Sequence, residues 1–234
     1  MSKRFILSAG NLLAASAAVV LCLPISARAD DNESGRSRQY EVRVTNITRG
    51  QQFTPLLTVV HNSRVTLFTL GSPASSALAT LAEEGNTAPL TAVLSSSGDV
   101  KSVVTQPGLL GPGQTRTFNV ESSGDFDSLT VGAMLIPTND AFFAVTIPEL
   151  SNGWQAVTHR GVAYDAGSEQ NDERCNSIPG PFFTECGGPG GGQRVGNGEG
   201  FVHVNAGIHG IGDLKASRRD WRNPVVSVAV RRTR

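Results

Sequence analysis

From Tyr40 onward apolar and polar side chains alternate, with Tyr40, Val42 and Val44 set against Glu41, Arg43 and Thr45. A period of two places each set on its own face of a strand, so YEVRVTNIT predicts a half-buried strand. LLTVVHN and SRVTLFTL repeat the theme across an Asn-Ser turn. GQTRTFNVES and SLTVGAMLIP follow, with Gly124 and Asp125 between them, and GFVHVNA and PVVSVAV supply two late strands. Short strands in this rhythm, separated by Gly, Ser, Asn and Pro, predict an all-β antiparallel sandwich.

Two segments break the rhythm. Leu78, Leu81 and Ala82 stand at helical spacing before Gly85-Asn86, which predicts one short helical segment near residues 76–84 with a Gly-assisted end. Between Gly187 and Gly200 the chain reads GGPGGGQRVGNGEG, a composition that predicts a flexible surface loop.

The N-terminus changes the setting. Lys3 and Arg4, the apolar run from Leu12 to Leu23, Pro24 and Ala27-Arg28-Ala29 predict a cleaved secretory signal over residues 1–29. That apolar run is too short to serve as a membrane span, so the mature chain is expected to carry none. Residues 30–38, DDNESGRSR, are expected to be disordered, with one domain over residues 39–234. Removing Lys3, Arg4 and Arg28 from 20 basic residues leaves 17 against 20 acidic ones. A balance of that sign argues against nucleic acid, which needs a basic face. The basic cluster of KASRRDWRNPVVSVAVRRTR reads as a solvated strand end and tail. Export also removes Cys22, and the two cysteines that remain, Cys175 and Cys186, are expected to form a disulfide in an oxidising compartment.

Candidate chemistry gathers in GVAYDAGSEQNDERCN. Calcium takes about six to eight oxygen ligands, and here Gly167 permits a bend on which Asp165, Glu169 and Asp172 can converge. The offsets are not those of an EF-hand, and an acidic loop reads as readily as a solvated turn. His203 and His209, with Asp213 as a further candidate, invite a zinc reading, but their spacing is not that of a helical metal pair and no third strong ligand stands nearby. Strand polarity and turn formation explain them more simply. Neither a Gly-x-Ser-x-Gly elbow nor a His-Glu-x-x-His motif nor a phosphate-binding glycine loop is present, so no enzyme is expected.

Four stretches in order resemble one family, the spondin N-terminal domain in its bacterial secreted form. They are YEVRVTNITRGQQFTPLLTVVHN, then GSPASSALATLAEEGNTAPL with Gly71, Ala74, Ser75, Ala82, Glu83 and Gly85, then PTNDAFFAVTIPEL, and finally YDAGSE. Ala141 and Phe142 depart from the Trp that animal members carry after the Pro-x-x-Asp aspartate. The resemblance covers about Tyr40 to Arg232. It implies a C2-like antiparallel β-sandwich and calcium held by loops at one end, through Asp140 and Asp165, with Glu169 as a further candidate. It also implies a secreted or periplasmic binding or adhesion module whose partner is an unidentified extracellular protein or glycan. The alternatives are an extracellular hydrolase of a glycan or ester polymer, for which the sequence offers no nucleophile, and a purely structural envelope protein.

Overall fold

A computed structural model describes residues 37–234. The signal segment expected over residues 1–29 lies outside the described residues, as does most of the polar stretch expected to be disordered. Arg38 already opens the first strand.

The alternation that begins at Tyr40 forms β1 (Arg38–Asn46), whose Tyr40, Val42 and Val44 are fully buried. It lies between β5 (Thr115–Ser122) and β13 (Val226–Arg232), and β13 carries β8 (Val157–Gly161) on its far side. All three pairings are antiparallel. The second sheet is built on β3 (Leu56–His61), β6 (Ser128–Ile136) and β7 (Ala141–Ile147). At one edge it gains β4 (Val100–Gln106), and at the other β9 (Ala163–Asp165) and then β12 (His203–Val204). A short β2 (Gln52–Phe53) also pairs with β6.

Between the sheets, Val42, Val44, Val226 and Val228 pack into one core with Leu129, Val131, Phe143 and Val145. On the opposite face of the larger sheet, Leu57, Val59 and Phe142 meet two helices, α1 (Ser76–Glu84) and α2 (Ala88–Ser95), through Leu78, Leu81, Leu90 and Leu94. The larger sheet is therefore covered on both faces, and β3 and β6 are buried at every position. That is why LLTVVH and SLTVGAMLI read as near-continuous apolar runs, unlike β1. Burying each large apolar side chain contributes about 1.5–3 kcal/mol.

Helix α1 forms where expected. Ser75 accepts from Leu78 N at its start, and the Gly85 N–H bonds Leu81 O at its end. Helix α2 is an addition, with Pro89 in its first turn and Leu90 and Leu94 on its buried side. The strand expected for SRVTLFTL does not form. The place beside β3 belongs to β4, which pairs with it from Leu56↔Gln106 onward. Segment 63–70 instead lays Phe68 against Phe142 and Tyr164, with ring centroids 5.2 and 4.8 Å apart. GFVHVNA shrinks to the two residues of β12.

The glycine-rich stretch also departs from expectation, because it is bonded along its length. Gly191 N donates to Cys175 O, Gly192 N to Ile178 O, Gln193 N to Asn176 O and Gly200 N to Gly167 O. The chain runs so close to its neighbours that a Cβ at Gly190 would collide with the Ile178 carbonyl. Here glycine serves close backbone approach rather than freedom. Within this region β10 (Phe182–Phe183) pairs with β11 (Gly188–Pro189), and Cys175 and Cys186 form the expected disulfide, with Cα atoms 5.5 Å apart.

One arginine of the basic cluster is not a solvated charge. Arg219, at the end of the short α3 (Ala216–Arg219), donates Nε and Nη2 to Glu185 at 3.1 and 2.8 Å and Nη1 to Gly50 O at 2.9 Å. Its guanidinium also lies 5.5 Å from the Phe183 ring centre. A planar fork suits such bidentate pairing, and here it ties the disulfide loop to the turn after β1. Arg219 holds the Glu185 carboxyl below its usual value.

Arg219→Met keeps the apolar stem but leaves the Glu185 carboxylate, whose side chain is 0 % exposed, without its partner. The expected loss is about 3 kcal/mol in urea unfolding. Because the Glu185 value is depressed, the pair's contribution is complete above pH 4.5, the ordinary glutamate value, and is lost as pH falls below it. Reduction of the disulfide, which spans 11 positions, should cost about 3 kcal/mol or less, and thiol labelling of denatured, unreduced protein should leave Cys175 and Cys186 unmodified. Labelling of both would show that the pair does not form in solution.

Candidate metal centre

Strand pairing assembles the acidic residues. Asp140 immediately precedes β7, Asp165 closes β9, and the register sets Ala141 opposite Asp165. On its other side β9 meets β12, with Asp165 directly opposite His203. Residues of one cross-strand pair present their side chains on the same face of the sheet. Three segments far apart in sequence thus deliver Asp140, Asp165 and His203 to one end of the larger sheet.

Asp140 is fully buried. Its Oδ2 accepts from Ser168 N at 2.9 Å, Ser168 Oγ at 3.2 Å and Glu169 N at 3.0 Å, while its buried Oδ1 has no hydrogen-bond partner. Burial, and then the charge of Asp165, push the Asp140 carboxyl up to about 7. The Asp165 carboxyl is raised as well, chiefly by burial. Its Oδ1 accepts from Gly167 N at 2.8 Å, and its Oδ2 from Asn171 and Asn205 side-chain amides at 2.9 Å each. Two buried carboxylates this close oppose each other's ionisation.

The bend after Asp165 needs glycine. Gly167 has φ +65°, and a Cβ there would collide with the Phe201 carbonyl. The Asp165 carboxylate and the chain leading into β12 are thereby pressed together.

His203 completes the cluster. Its Nδ1 lies 3.1 Å from Val204 O, and its Nε2 lies 3.6 Å from Asp165 Oδ1 and 3.5 Å from Glu199 Oε2. Asp165, Glu199 and His203 together offer ligand atoms within 4.8 Å of one another. Burial pulls the imidazole down, but the Val204 carbonyl and the Asp165 and Glu199 carboxylates outweigh it and leave it raised.

Glu169 is placed differently. Its backbone N–H serves Asp140, and its carboxyl faces Val195 N, Glu83 and Arg194. Burial, then Glu83, raises it to about 7. Arg194 in turn pairs with Glu83 at 2.7 Å and Glu84 at 3.1 Å, joining the glycine-rich segment to the end of α1. Asp172 does not converge with Asp165. It accepts from Asn139 at 3.0 Å, Arg174 N at 3.0 Å and Ser177 at 2.7 Å. Burial pushes its carboxyl up, but those bonds outweigh it and hold it below the usual value.

Glu173 stands in the acidic stretch that the sequence singles out, but the sequence assigned it no role of its own. Its buried carboxylate accepts backbone N–H groups from His209 at 2.6 Å, Gly210 at 2.7 Å and Ile211 at 3.0 Å. It is a fastener for the 209–211 turn. His209 and Asp213, the other half of the zinc reading, do not join His203: Asp213 accepts from Cys175 N at 2.9 Å, and His209 lies beside Asp220 and Trp221 in a separate cleft.

The Spondin_N profile matches residues 37–173, which span β1 through the acidic loop. The chain belongs to the Spondin_N family. The match includes Asp140, Asp165 and Glu169, whereas Glu199 and His203 lie beyond it. No curated protein matches the chain. Within the Spondin_N domain, the quoted Ser75 and Gly85 are the two caps of α1, and Glu83 faces Glu169 through Arg194.

Gly167→Ala should destabilise the protein by about 1–3 kcal/mol or more, since it adds a strained backbone to a collision with main chain that cannot swing aside. Glu173→Ala should cost about 2–3 kcal/mol, because three backbone donors lose one charged acceptor. Urea unfolding measures both, and a change below about 0.5 kcal/mol at either position would contradict the contacts described.

Proposed function

We propose that this Spondin_N chain is a secreted or periplasmic binding and adhesion module whose acidic loop end holds calcium and presents a surface to an extracellular protein or glycan. Membership of a non-catalytic module family supports a binding role over a catalytic one. The Cys175–Cys186 disulfide suits an oxidising compartment. No helix among the described residues is long and apolar enough to cross a membrane.

One observation carries the cation reading. Asp140 is fully buried, with Oδ1 unpartnered, and lies near enough to Asp165 for their charges to oppose. A buried carboxylate oxygen without a donor costs free energy unless something positive meets it. Calcium is a hard cation that takes carboxylate, carbonyl and water oxygens, and the orphaned Asp140 oxygen and the Asp165 carboxylate fit that demand. Glu169 stands as a further ligand only if its side chain turns from Arg194. When bound, calcium neutralises the paired carboxylates. The residues themselves tie the loop to the sheet, through Ser168 and Glu169 N–H groups on Asp140 and Gly167 N on Asp165.

The test compares melting with calcium and with chelator, for wild type and for Asp165→Asn. Extracellular calcium sites have Kd values of about 0.1–1 mM, so calcium at about 10 mM is the working concentration. At that concentration the ligand is in about ten- to hundredfold excess over Kd and stabilises the native state by about 1.4–2.7 kcal/mol. Wild type should therefore melt several degrees higher with calcium, and Asp165→Asn should lose most of that shift. The assignment fails if wild type shows no shift, or if Asp165→Asn shifts as far as wild type.

A further inference from the structure

The calcium reading uses oxygen donors alone, yet the ligand atoms that converge most closely at Asp165 include a nitrogen. His203 Nδ1 faces the Val204 carbonyl at 3.1 Å, and an acceptor there requires that Nδ1 carry a proton. In a neutral ring the Nε2 lone pair then points toward Asp165 Oδ1 at 3.6 Å and Glu199 Oε2 at 3.5 Å. Nε2 is buried and has no hydrogen-bond partner. Three electron-rich atoms facing one another across such distances repel unless a positive charge lies among them.

Those spacings have a geometric reading. Two ligands each about 2.0–2.1 Å from a tetrahedral zinc ion stand roughly 3.3 Å apart. The second nitrogen of a metal-bound histidine characteristically donates to a carbonyl or carboxylate, which fixes the ring and its tautomer, and Val204 O is placed to receive it. Asp165 is held just as firmly by Gly167, Asn171 and Asn205. Glu199 is 41 % exposed on its side chain, so the cluster has a wet side open to ion entry and to a water ligand. Fully buried Asp140, with its unpartnered Oδ1, lies near enough to Asp165 for their charges to oppose, so a cation at Asp165 favours the ionised form of Asp140.

We propose that Asp165, Glu199 and His203 form a site for a zinc-class divalent transition metal, selected by the imidazole nitrogen, at which calcium is a weak competitor. Imidazole with carboxylate favours first-row transition ions, whereas calcium and magnesium prefer oxygen alone. The inference rests on the reading that the Asp165 end is a cation site. It adds ligands from outside the part of the chain that matches the Spondin_N profile.

The experiment titrates the full chain, stripped with chelator and with its disulfide intact, against zinc chloride and separately against calcium chloride, by calorimetry and by melting. Zinc should bind at least about tenfold more tightly than calcium. His203→Gln removes the nitrogen but keeps an amide oxygen, so it should weaken zinc by about tenfold or more and leave the calcium shift in place. Glu199→Gln, at an exposed position, should weaken zinc without lowering the melting point in chelator. His209→Gln should change neither metal's binding. Zinc binding no tighter than calcium, or undiminished in His203→Gln, overturns the proposal. A zinc shift without a calcium shift upholds it and removes the calcium reading; a calcium shift without zinc binding does the reverse. If neither ion binds, both fall, and His203 is an imidazolium paired with Asp165 and Glu199.

Discussion

Burial of the larger sheet on both faces is the constraint that shapes the rest of the molecule. β3 and β6 have no exposed position, and β7 carries Phe142 toward the helices and Phe143 toward the smaller sheet. The central strands of a sheet sandwiched in this way have no solvated face. Buried polar groups within them, such as Thr130, therefore bond one another, and the acidic side chains stand at strand ends and in the connecting loops. Asp140 and Asp165 sit at two such ends, brought level by the Ala141↔Asp165 register. Their mutual repulsion follows from a topology that is otherwise driven by apolar burial.

The loops at that end are fastened by carboxylates as well as by buried side chains such as Ile178 and Val202. Asp140 gathers Ser168 and Glu169, Asp165 gathers Gly167, and Glu173 gathers His209 through Ile211. Each acid satisfies backbone N–H groups that a long irregular segment cannot satisfy within itself. Glycines complement them by letting main chain approach main chain, as at Gly190 beside Ile178. The result is a loop region of little regular secondary structure that is nonetheless bonded along its length. Its fastenings are the Cys175–Cys186 disulfide and the Arg219–Glu185 pair.

Beyond residue 173, where the Spondin_N match ends, the chain adds three things to the frame. β13 returns to pair with β1 from Tyr40↔Arg232 to Asn46↔Val226, which closes the smaller sheet's interior. The disulfide loop and α3 brace the turn after β1 through Arg219 and Gly50. Finally, β12 lays His203 against Asp165. The shared part of the domain supplies the acidic pair, and the remainder decides which groups face it.

Local pattern alone determined a good deal. The period-two run at Tyr40–Val44 specified β1 and its buried face, because alternation along a strand is a property of consecutive residues. Leu78, Leu81, Ala82 and Gly85 specified α1 for the same reason, and the two cysteines outside the expected signal segment pointed to each other as partners. Asp140 and Asp165 were singled out by the stretches that resemble the Spondin_N family, and the β7–β9 register brings them to one end of the sheet. What only the tertiary structure decided was which neighbour each segment would take. SRVTLFTL has a strand's alternation, yet β4 occupies the edge beside β3 and leaves Phe68 to fill the gap against Phe142. Asp172 and Asp165 lie seven positions apart and face different partners, whereas Asp165 and His203, separated by 38 positions, face each other across a ladder. Register between strands depends on turns and burial throughout the sheet, so no window of the sequence contains it.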